Sequence, residues 1–218
     1  MQSQGKVDIG GDELAEMLSL SASLDDDLTA LLERAWNTST QRLAICMAFC
    51  KAAVEHAISQ RVLIEAGLTG TALSLIRLQF ETVVRAAWIL HGAKDEWLIR
   101  FSLPVPDGEL NEPQMGPPIP AMLDAIKIHA PEAAMELSRL NETLKVMHSF
   151  VHGGAHLVVH ALRGYPPKNL VAVLRNRNLL SLMLSNIIVI AGQQPHLNGA
   201  VQQLMIAHES CMPPRRKV

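Results

Sequence analysis

Wound at helical period, the segment from Asn169 to Ala191 is apolar on nearly every side. Such a helix has no solvent face to offer, so it belongs at a bundle centre or in a subunit interface. Its longest apolar stretch, Leu179 to Ala191, is broken by Ser181, Ser185 and Asn186 and is too short to cross a bilayer. A second segment, Leu73 to Leu90, is apolar on most sides and should also be central. Aromatic residues make up 4% of a chain that is 49% hydrophobic, so the core is built from Leu, Ile, Val, Ala and Met. Helix formers dominate and β-branched runs are scarce, which predicts an all-α, multi-helix bundle. The length of 218 residues favours one large domain.

Residues 1–11 carry three glycines and no periodic pattern and read as a loose tail. The helical domain is expected over 12–210, with a basic tail over 211–218. Within it, Asp12 to Leu20 reads as a short helix, and Ser23-Leu-Asp-Asp-Asp as the start of another. A long helix is expected from Thr38 to about Ala66, then the apolar helix ending at Gly92, then a short one around Trp97. Residues 104–120 hold half of the chain's twelve prolines, a density no helix survives, and predict a long loop. Beyond it the pattern gives a helix over Ala121–His129 and another from Pro131 to about His152. Gly153-Gly154 either ends that helix or weakens it before helical pattern resumes to Leu162. The chain turns at Gly164-Tyr-Pro-Pro before the apolar helix, and a last helix follows Pro195.

A net charge of −2 gives no global electrostatic case for nucleic acid or membranes. Cys46, Cys50 and Cys211 show no CxxC spacing and read as reduced and buried. With no apolar leader at the N-terminus, the chain is expected in the cytoplasm, away from membranes.

Two polar features stand out. Arg77, Glu81 and Arg85 are spaced four apart and share a stripe on the first apolar helix. Charges in that setting must be paired, with the Glu81 carboxylate held between guanidiniums. The stripe is either a structural ion-pair ladder or a site for a small anion on the arginine left with free donors. His148, His152, His156 and His160 follow at i, i+4 spacing, and an adjacent pair could chelate a divalent metal with His56 as third ligand. The four cannot share one ion, since the outer two lie about 18 Å apart along a helix. The expected site brings Arg77, Glu81 and Arg85 opposite His152 and His156, while Arg175 and Arg177 read as solvated.

Leu73–Gly92 together with Met147–His156 resembles a group of uncharacterised bacterial all-helical proteins. Their pattern is an Arg-x-x-x-Glu helix with a following aromatic, then a later helix with a polar-x-x-His segment. Arg77, Glu81, Trp88, Ser149 and His152 match it. The chain is also similar to HEPN domains, whose mark is Arg, four to six residues, then His; Arg85-Ala-Ala-Trp-Ile-Leu-His91 fits that count. The resemblance implies an RNA-binding or RNA-cleaving module of the defence or toxin type. Arg85 would hold phosphate and His91 or His152 would act as general acid/base. A homodimer, through 179–191, is expected with it. Ala86 stands where the family has a polar residue, and six positions on a helix set the two side chains about 120° apart. In a DinB-like metal-binding bundle, His56, His148 and His152 would be the ligands. In a non-enzymatic ligand-binding or interaction protein, the polar stripes would only tie helices together.

Overall fold

A computed structural model describes residues 9–103 and 116–214. Among them are ten α-helices and no strand. The expected proline loop falls largely on 104–115 and the basic tail largely on 215–218, both outside the described residues.

The first helix, α1, runs unbroken over Ile9–Ala35. This replaces the expected short helix and fresh start near Ser23 with one helix; residues 9–11 of the expected tail belong to it, and the rest of that tail lies outside the described residues. Asp25 is not in a first turn; with Ser21 it lies on the buried face beside Met17, Leu24, Leu28 and Leu32. Helix α2, Gln41–Glu65, begins on Thr40, whose hydroxyl accepts from the Leu43 N–H. Three residues on, α3 spans Thr69–His91 and lies along α2 more extensively than any other helix pair. A link that short makes the two antiparallel neighbours. The small helix α4, Asp95–Phe101, stacks Phe101 on Trp97 and sets Trp97 edge-on to the buried Trp88. Gly116, where the described chain resumes, has φ +91°, and a Cβ there would fall 2.9 Å from the Trp88 ring. Both flanks of 104–115 thus rest on one aromatic group.

Helices α5, Ile119–Lys127, and α6, Pro131–Thr143, pack on each other, and α5 packs on α3. The helix expected to reach His152 stops at Thr143. A 3-10 turn over 145–147 and a single turn of helix, α7, His148–Val151, follow. Gly153, at φ +67°, then turns the chain before α8, Ala155–Arg163. His148 therefore opens α7 and His152 follows its end, while His156 and His160 lie on α8 beyond the Gly153 turn.

Helix α9, Pro167–Gly192, is the long apolar one, and it packs on α1, α2, α3 and on α10, Asn198–Ala207. Residues 179–191 are buried within the chain at most positions, which places them at the bundle centre. α9 has the length and hydropathy of a membrane span, but 67% of that window is buried inside the fold.

The centre is tied by a polar network. Arg177, expected in solvent, has 0% side-chain exposure. Its Nε donates to the Ala57 carbonyl at 3.1 Å, Nη1 to Asn178 Oδ1 at 2.7 Å, and Nη2 to Asp25. The second Asp25 oxygen accepts from Arg61 Nε at 2.8 Å. Asn178 donates to Ser21 Oγ and to the Cys211 carbonyl, and Gln79 donates to the Arg177 carbonyl and Ser181 Oγ. Four helices and the C-terminal turn therefore meet on one guanidinium and its neighbours. Burial lowers the Arg177 pKa, and Asp25 opposes that shift.

Asp25→Ala leaves Arg177 buried and uncompensated, and urea denaturation should show a loss of about 3–5 kcal/mol. Replacing both partners, as Asp25→Leu with Arg177→Met, should recover a large part of that loss. A double variant no more stable than Asp25→Ala alone would show that the pair itself does not carry the effect.

Candidate functional site

The stripe on α3 is joined through its central carboxylate. Arg77 Nε donates to Glu81 Oε1 at 2.9 Å, and Arg85 Nη1 donates to Glu81 Oε2 at 3.2 Å. Glu81 holds one guanidinium on each oxygen, as the four-residue spacing implies. Arg77 also donates through Nη1 to Asn141 Oδ1 of α6 at 2.8 Å and lies over the Phe80 ring at 5.0 Å. It is nearly buried, so its charge ties α3 to α6. Arg85 Nε is buried without a hydrogen-bond partner. The Glu81 side chain keeps 25% exposure, so the ladder is only partly desolvated.

The histidines do not complete this site. α7 and the turn before it pack along α3. Among the described residues, though, no hydrogen bond or ion pair joins Arg77, Glu81 or Arg85 to His152 or His156. His148 and His152 lie parallel, their rings 6.1 Å apart, on the exposed turn of α7. His156 sits near Phe150, and its N–H donates to Ser149 Oγ at 3.0 Å. His160 is within 3.1 Å of the Gly164 carbonyl and stacks on Tyr165. Among the described residues no three His, Cys, Asp or Glu side chains gather as a metal-holding group. The expected triad of His56, His148 and His152 is therefore not assembled, because His56 stays half-buried on α2 and the later pair has no third donor nearby.

His91 belongs to a different place. It ends α3, stacks on His129 at 6.4 Å, and lines a cavity of about 730 Å³. Arg85, pinned to Glu81, shares no bond with it. The cavity lies where α3, α5, α6, α9 and α10 fail to close. Val83, Ala87, Leu137, Met183, Ile187 and Met205 form its apolar walls. Burial, with the neighbouring His129 charge second, lowers the His91 pKa. Burial lowers that of His56 as well, against the opposing charge of Glu55. Sequence reading passed over this cavity. Its one signal was the methionines at 183 and 205, soft side chains suited to irregular space.

Residues 50–214 match a protein family described as a family of unknown function (DUF6988), and the chain belongs to that family. No curated protein and no solved structure matches it. The matched range contains the α3 stripe and every residue of the cavity.

Glu81→Ala strands two guanidiniums. The expected cost is about 1–3 kcal/mol in chemical denaturation, below that of a fully buried pair. A negligible cost would mean the ladder is solvated in solution. The two lowered histidines set a pH dependence. Below about pH 6.5 the unfolded chain takes up protons that the folded imidazoles refuse. Stability should therefore fall as pH drops through that value, and the His56→Asn/His91→Asn variant should show a flatter Tm profile between pH 7.5 and 5.5.

Proposed function

We propose that this family member is a non-enzymatic binding protein for a small apolar molecule, held in the cavity between α3, α6, α9 and α10. The observation that carries the reading is the cavity itself. Its volume of about 730 Å³ lies in the range of ligand pockets, and its walls are mostly aliphatic and thioether. Few polar groups reach it; His91, Glu132, Glu136 and Asn186 stand among the apolar walls. With its pKa lowered, His91 is neutral at pH 7 and presents a hydrogen-bonding edge and no charge. The charged stripe on α3 serves the scaffold: Glu81 engages both arginines, and Arg77 carries the ladder across to Asn141 of α6. The three buried, unpaired thiols agree with action in the cytoplasm.

An RNA-cleaving role asks Arg85 and His91 to converge on one phosphate. Here one is engaged by Glu81 and the other borders an apolar cavity. A metal role asks for a third ligand beside His148 and His152.

Titration with the neutral fluorophore N-phenyl-1-naphthylamine tests the proposal. Saturable one-to-one binding is expected. Ala133→Trp, which places an indole in the cavity wall, should weaken it about tenfold or more while leaving Tm little changed. Unsaturable binding, or binding indifferent to Ala133→Trp, counts against it. RNA cleavage by the wild type that is lost in Arg85→Ala would replace it with the nuclease reading.

A further inference from the structure

The apolar cavity does not end at α6. A second cavity of about 1060 Å³ adjoins it, and the two share Glu136 and Met205 in their walls. Together they follow one face of α9, from Arg175 through Leu179, Leu182 and Asn186 to Ile190. Fifteen helical rises from Arg175 to Ile190 make this a trough of about 22 Å. Its walls are α6 and α10; α6 scarcely meets α9, which is why the space stays open. One end is aliphatic. The other carries Arg139, Thr143, Arg175, Asn176 and Ser210.

The two arginines at the polar end are not equivalent. Arg139 spends Nε and Nη2 on Glu136, so that pair is neutral in sum. Arg175 is under-used. Its Nε is buried without a hydrogen-bond partner, and its ion contact is Glu13 Oε1 at 3.5 Å, long for a charge-assisted bond. With 32% side-chain exposure, Arg175 reaches water in part and is only loosely held by the fold. The Nε is sealed from the trough, but the terminal nitrogens of this partly exposed side chain keep donors that the one long Glu13 contact does not use up, and an oxyanion in the trough can accept from them. The surrounding charge limits which oxyanion. Glu136 is neutralised by Arg139, and Glu13 stands against Arg175, so one guanidinium already facing one carboxylate suits a single incoming negative charge better than two.

Resting on the apolar-ligand reading above, we infer that the ligand is a long-chain monocarboxylate. Its alkyl chain lies in the apolar cavity, and its carboxylate accepts from Arg175, taking the place of the long Glu13 contact. The neutral donors of Asn176 and Ser210 complete the polar end.

The test compares palmitate, methyl palmitate and hexadecyl phosphate as competitors of the neutral fluorophore on the full chain. Palmitate should bind about tenfold or more tighter than its methyl ester, because only the acid supplies a charged acceptor. Arg175→Gln should erase that preference while fluorophore affinity and Tm stay close to wild type. Glu13→Gln, which removes the competing carboxylate, should tighten palmitate alone. Equal binding of acid and ester, or a preference that survives Arg175→Gln, overturns the carboxylate assignment while the apolar-ligand reading stands. Tighter binding of hexadecyl phosphate overturns it in favour of a phosphate head group. Failure of the fluorophore and all three lipids to bind overturns both.

Discussion

Taking the Arg177 guanidinium fully out of water costs several kcal/mol unless its donors are met at once, and the protein meets them from three directions. Asp25 comes from α1, the Ala57 carbonyl from α2, and Asn178 from its own helix. Each partner has to sit at one height along its helix, so the ion pair sets the register of α1 and α2 against α9. The apolar contacts around it are far less particular, because leucines on neighbouring turns could exchange places with little loss. What the site inherits from this is orientation. On a regular helix Arg175, Leu179, Leu182, Asn186 and Ile190 lie opposite Arg177, Ser181 and Ile188. Anchoring one side of α9 in the network turns the other side toward α6 and α10, where the trough opens.

The same geometry separates what the sequence made legible from what it hid. α3 and α9 were legible because helices without a polar face have few places to go. The Arg77, Glu81 and Arg85 ladder was legible because four-residue spacing leaves opposite charges within reach. Arg177 was read as solvated because a charge is solvated far more often than not. Its phase said otherwise: it lies on the side of Leu174, Ser181 and Ile188, which are all buried, while Arg175, two residues earlier, lies opposite. Asp25 falls in what reads as a helix's first turn for a similar reason, since an acidic run after a serine has the composition of a helix start. Its partner stands 152 residues away, and no local pattern points to it.

The histidine series failed as a site for a mechanical reason. The i, i+4 spacing carries meaning only on a continuous helix, and Gly153 removes that continuity between His152 and His156. The cavities were invisible for another. They arise where helices fail to meet, and a missing contact leaves no periodic signature. Arg139 and Arg175 become informative only when their bonds are compared, one spent and one largely unspent.

The aromatic group at Trp88 has a separate consequence. Phe101 reaches it through Trp97 from one side, and Gly116 rests on the same indole from the other. The described residues on either side of 104–115 thus share one anchorage. The helices before and after keep their places whatever is strung between those two points, so the proline-dense stretch is the part of this architecture most open to lengthening, shortening or replacement by a grafted domain.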